Sequence, residues 1–299
     1  MPWIVLITGV PFVTAVAVLN FVGPTATANF VVDATAPPGL PGLVSFCAVA
    51  VAQICLCLGV LFGIVRLFTR IPVPDKRPYV WLGVAYGAVM FAALALMPTY
   101  GGVAGELTFR MGARLLEEAH PAWLASSVVG PTPLYLGYFV PSFLGSLTVI
   151  VAAATMYALA RYRTRTRETD YQLRTMLYAM TLILVLSTLA ASLFFHLPQS
   201  VVVNDDRAAF VAQAAEVSLF WGVVYSLTLA ATVLPAYVLA QENQTDRPKG
   251  GRDRSSDSDV ADGSKAEHGT RRIELIVTVL APMVTGPVAS LIQGTLITV

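Results

Sequence analysis

Seven stretches of this chain, at about 3–22, 43–65, 79–97, 134–160, 175–197, 217–240 and 275–299, hold no Asp, Glu, Lys or Arg. A helix crosses a hydrocarbon core of about 30 Å with about 20 apolar residues, and inside that layer every backbone N–H and C=O must be bonded within the segment. The pattern predicts an all-α, polytopic transmembrane helix bundle of six to seven spans. Only 12% of the residues are charged, against about 25% in an ordinary soluble domain. A water-soluble fold of 299 residues could not cover its surface with so few charges, and a hydrophobic content of 56% excludes disorder of the whole chain.

Nineteen basic and eighteen acidic residues leave a net charge of +1, so no nucleic acid is expected as a partner. The placement of the charges says more. Sixteen of the basic residues follow the second, fourth and sixth stretches, among them Arg66, Arg70, Lys76 and Arg77, then Arg161, Arg163, Arg165, Arg167 and Arg174. The alternate loops carry only Arg110, Arg114 and Arg207. Basic loops stay in the cytoplasm, which orients the bundle in a cell membrane and puts the N-terminus inside if the first helix is retained. Ala26-Thr27-Ala28 offers the alternative of a cleaved signal peptide over 1–28. The lack of any Lys or Arg before the apolar run, and the length of that run, favour a retained helix.

Residues 1–240 are thus expected to hold the bundle, and 241–272 a disordered cytoplasmic linker with seven charges of each sign. Ser255, Ser256 and Ser258 stand among acids there as candidate phosphorylation sites. The segment 273–299 is expected to be a C-terminal apolar helix and a seventh span, although Pro282 and Pro287 leave room for a hairpin or an interfacial helix. Between the third and fourth stretches, Val103, Leu107, Met111 and Leu115 recur every four residues beside Glu106, Arg110, Arg114 and Glu118. This predicts an amphipathic outer-surface helix over about 102–118.

Gly59-x-x-x-Gly63 and Gly83-x-x-x-Gly87 predict close helix packing, either between the second and third spans or at a homo-oligomer seam. Cys47, Cys55 and Cys57 fit neither a disulfide framework nor a zinc motif and read as apolar residues. On spans four to six, Tyr138, Ser142 and Gly145, then Thr181, Thr188 and Ser192, then Ser218, Tyr225 and Thr232, each fall on one helical face. With Pro141 and Pro235 bending their helices, these faces are candidates for lining a polar pathway, and interhelical hydrogen bonding is the plainer use of the same residues. No carboxylate or base lies in a span, which argues against proton coupling. Glu117, Glu118 and His120, with His196, Asp205 and Asp206, fall on the outer side and form a candidate set of metal ligands, without any recognised spacing.

The chain has no phosphate-binding G-x-x-x-x-G-K-[ST] loop and no G-x-S-x-G elbow. Its lysines, Lys76, Lys249 and Lys265, all lie in loops, where none can hold retinal inside a span. No cofactor is expected. The leading expectation is a permease-like or channel-like protein that passes a small solute or ion. The alternatives are a non-catalytic membrane subunit or scaffold that assembles with itself or a partner, and an outward-facing metal-dependent enzyme.

Overall fold

A computed structural model of the chain describes residues 10–22, 30–33, 35, 40–100, 111–119, 132–163, 166–245, 276–285 and 288. Among them the fold is all-helical. Its elements are α1 (Val10–Val22), α2 (Leu40–Arg70), α3 (Arg77–Tyr100), α4 (Met111–Ala119), α5 (Thr132–Tyr162) and α6 (Arg167–His196). A 3₁₀ turn, Leu197–Ser200, then leads to α7 (Asn204–Thr245), and α8 (Ile276–Thr285) follows.

Four helical stretches among the described residues are long and apolar enough to cross a membrane: Gly42–Arg70, Leu136–Tyr162, Glu168–Ser200 and Asn204–Leu239. They mark a membrane protein. Their outer faces agree with lipid contact, since Phe62 on α2 is 72% exposed and Trp81 on α3 is 71% exposed. Water would make such a surface an aggregation liability. The described structure therefore supplies four spans of this kind against the six to seven expected. α3 runs for 24 residues, and α1 and α8 are described only as shorter apolar helices.

Helix ends depart from the expected limits because a helix continues past the lipid wherever its caps allow. α6 starts at Arg167 rather than 175, where Thr166 Oγ1 accepts the Thr169 N–H at 3.2 Å and Glu168 and Asp170 sit in the first turn. α7 starts at Asn204 rather than 217, with Asp205 and Asp206 in its first turn and Phe210 and Ala214 buried one and two turns on. Its far end reaches Thr245, so 241–245 is helix rather than linker, and 246–272 lies outside the described residues. The surface helix is described from Met111, while 102–110 is outside the described residues, as is 1–9 of the first stretch.

The centre of the fold is α2, α5, α6 and α7. α2 lies against α5 and α6, and α7 packs antiparallel to α6 and also on α5. α3 has α5 as its principal neighbour, and α1 has α7. Two apolar clusters fill the interior. One, toward the 3₁₀ turn, gathers Phe46, Phe194, Phe195, Phe210 and Trp221. The other, toward Arg161, gathers Ile64, Met156, Leu159, Met180 and Leu229. α4 lies across the 3₁₀ turn with Met111, Leu115 and Leu116 buried. Beside it, residues 30–33 run against 201–203: Val31 N–H donates to Asp206 Oδ2 at 3.0 Å, and Val203 N–H donates to Val31 O at 3.0 Å.

Of the two uses expected for the paired glycines, the contact between the second and third spans is not made. Among the described residues, a Cβ on Gly59, Gly63 or Gly83 would meet nothing within 4 Å, and Gly87 faces Leu147 Cδ1 of α5 at 3.6 Å. α2 and α3 are therefore not zipped together through these residues. The connection at 71–76, held out of helix by Pro72 and Pro74, lets α2 and α3 each turn to α5 instead. A close approach occurs at Gly222 on α7, where a Cβ would stand 2.9 Å from Pro282 O and 3.2 Å from Met283 Cα of α8. One turn along, Ser226 Oγ accepts the Met283 N–H at 3.1 Å.

Candidate functional site

The hydroxyl faces of α5, α6 and α7 meet at two adjoining cavities of about 30 Å³ each. Space of that size holds a small number of waters. Phe12, Ser146, Leu184 and Tyr225 border both cavities. The first is completed by Tyr138, Ser142, Gly145, Ser187 and Trp221, the second by residues that include Tyr86 and Met90 of α3 and Thr228 of α7. No Asp, Glu, Lys, Arg or His is among the described lining residues. The cavity surface is neutral, with aromatic walls and hydroxyl groups.

Most of the hydroxyl protons are committed to the helix that carries them. Ser142 Oγ donates to Tyr138 O at 2.7 Å, Ser146 to Ser142 O at 2.9 Å, and Thr228 to Val224 O at 2.8 Å. This back-bonding lets a hydroxyl sit in lipid without an unmade bond, and it leaves the oxygen as an acceptor. Of the residues named as pathway candidates, Tyr138, Ser142 and Tyr225 come together at the cavities, with Gly145 beside them. The rest stand elsewhere. Thr188, Ser218 and Thr232 are buried and bonded to Leu184 O, Ala214 O and Thr228 O, while half-buried Thr181 bonds to Leu177 O. Ser192 is buried with no partner for its Oγ among the described residues.

A polar node that the periodicity did not reveal lies behind the cavity wall. Gln53, 1% exposed on α2, donates from Nε2 to Ser187 Oγ at 2.7 Å and to Pro141 O at 3.1 Å, linking α2, α5 and α6. Gly145 makes room for it, since a Cβ there would stand 3.2 Å from Gln53 Nε2. Ser187 in turn donates to Ile183 O at 2.9 Å. Trp221 was also missed. Its ring lies 5.7 Å from Phe12 and 6.0 Å from Tyr225, and its buried indole N–H has no partner among the described residues. Only Gln53 carries a clear sequence signal, as a lone amide in a charge-free run, whereas Trp221 near the start of its stretch reads as an ordinary interfacial residue.

The described members of the candidate metal-ligand set stand in different surroundings. His196 is buried, and its Nδ1 donates to Ser192 O at 2.8 Å, whereas Asp205 is exposed and Asp206 accepts the Val31 N–H. Glu118 lies 3.8 Å from Arg114 on α4, the side chain of Glu117 is not described, and His120 is outside the described residues. Among the described residues there is no group of three or more His, Cys, Asp or Glu able to hold a metal ion. Cys57 is buried, Cys47 and Cys55 are exposed, and all are free thiols.

No protein-family model matches the chain, and neither a curated protein nor a solved structure is significantly similar to it.

Proposed function

We propose that this is a multi-pass cell-membrane protein of six to seven spans, permease-like or channel-like, that passes a small neutral solute without proton coupling. In this reading α1 and α3 join the four central spans, α8 belongs to the seventh, and the basic loops lie in the cytoplasm. The observation that carries it is the pair of cavities inside the bundle, walled by hydroxyls and aromatic rings and by no described acid or base. Such a lining suits an uncharged guest, while proton-coupled carriers keep ionisable groups in the span. Stopped-flow shrinkage and reswelling of proteoliposomes in glycerol or urea is the test. The expected result is faster solute entry than in empty liposomes, unchanged by an imposed pH gradient and cut several-fold by Ser146→Leu. Entry at the empty-liposome rate, or entry driven by the pH gradient, overturns it.

Self-assembly or assembly with a membrane partner is the second reading. The open notch of Gly59 and Gly63 favours it, because α2 leaves that glycine face without a neighbour among the described residues. Glycine pairs of this kind let a second helix approach closely. Gly59→Leu is then expected to convert an oligomer to a monomer in native mass spectrometry, and a wild-type protein that is already monomeric removes this reading.

A further inference from the structure

We infer that the paired cavities form a binding site for a small hydroxyl compound, of the size of water or methanol, held between the Trp221 indole N–H and the oxygens of Ser142, Ser146 and Thr228. The inference rests on the permeation reading only for the purpose that the site serves. Trp221 is 2% exposed and lines the first cavity, and its Nε1 has no partner among the described residues. A buried donor is costly to leave unmade. Phe12 at 5.7 Å and Tyr225 at 6.0 Å flank the ring and hold it in place. The bond it needs is one that a guest in the cavity would make.

The serine and threonine oxygens set the complementary demand. Their protons already go to Tyr138 O, Ser142 O and Val224 O, so toward the cavity they can only accept. Ser187 is further occupied, since it also receives Gln53. The guest must therefore offer an acceptor to Trp221 and a donor to the hydroxyl oxygens, and a hydroxyl group does both with one atom. A carboxylate lacks the donor, an ammonium lacks the acceptor, and no described lining group balances either charge. Cavities of about 30 Å³ restrict the guest to a few heavy atoms, and Phe12 and Tyr86 provide apolar walls for a methyl group.

The test uses the full chain in lipid nanodiscs, labelled with ¹⁵N-tryptophan. Four indole signals are present in principle, and that of Trp221 is the one lost in Trp221→Phe. We expect magnetisation transfer from the Trp221 indole proton to water and, when methanol is added as the probe, to its methyl protons. Acetonitrile, of similar size and an acceptor without a donor, should give no such transfer, and Ser146→Leu should abolish the methanol signal while leaving the other indole signals in place. Absence of transfer to both water and methanol overturns the site, and equal transfer from acetonitrile overturns its donor–acceptor selectivity. Methanol contact without solute flux in liposomes sinks permeation and keeps the site, whereas flux without contact does the reverse.

Discussion

A Gly222→Leu chain is expected to lose the docking of α8 on α7. A Cβ at Gly222 would meet backbone, Pro282 O at 2.9 Å and Met283 Cα at 3.2 Å, and backbone cannot move aside as a flexible side chain does. Overpacking of this kind costs about 1–3 kcal/mol even for one added methyl, and a leucine adds more. The contact it opposes includes a cross-helix hydrogen bond from the Met283 N–H to Ser226 Oγ. A loss of that size lowers the docked population by roughly one to two orders of magnitude. Spin labels at Leu227 and Val284, which are 54% and 59% exposed, can follow the separation without entering the contact, after Cys47, Cys55 and Cys57 are replaced. A narrow distance distribution is expected for the native glycine and a broad, longer one for Gly222→Leu, with Gly222→Ala between them. An unchanged distribution in Gly222→Leu would show that α8 is held by something other than this notch.

The second large effect is expected from Gln53→Ala. It removes two hydrogen bonds that tie α2 to α5 and α6, each worth about 0.6 kcal/mol on average in a membrane protein. It also leaves a void where the side chain packed, and the two together should lower stability by about 2–4 kcal/mol. Gln53→Leu keeps the volume and should lose only about 1 kcal/mol, since Ser187 retains its bond to Ile183 O. Thermal unfolding in detergent separates the two. Equal losses would mean that hydrogen bonding outweighs packing at this node, and no loss in either variant would remove Gln53 from the forces that join the helices.

The four central spans were legible because lipid acts on every residue of a span. A single charge is costly there, so the charge-free stretches at 43–65, 134–160, 175–197 and 217–240 overlap the four membrane-length helices over nearly all of their length. Their ends were not legible. Beyond the lipid, charge is no longer penalised, and the Thr166 cap on α6 and the first-turn acids Asp205 and Asp206 on α7 favour helix starts that hydropathy does not weigh. The hydroxyl stripes ran along buried faces at Thr188, Ser218 and Thr232, yet periodicity cannot separate a hydroxyl at a cavity from one against a neighbouring helix. Each makes the same bond to its own backbone one turn back. Spacing also drew attention to Gly59, Gly63 and Gly83, which meet no described neighbour within the chain. Gly222, which the α8 backbone approaches closely, sits in Ser218-x-x-x-Gly222-x-x-x-Ser226, a small-residue repeat that a search for glycine pairs passes over.

The Gln53 node divides the bundle mechanically. α2 supplies no described residue to either cavity, yet its side chain is bonded to both α5 and α6, so these helices form a cross-braced frame on one side of the space. α1 and α3 border the same space, and each leans chiefly on a single neighbour. Moving α5 away from α6 would break at least one of the two buried Gln53 bonds, whereas displacing α1 or α3 breaks neither. Among the described residues, the bracing of this space is therefore one-sided: the Gln53 bonds join α2, α5 and α6 and do not reach α1 or α3.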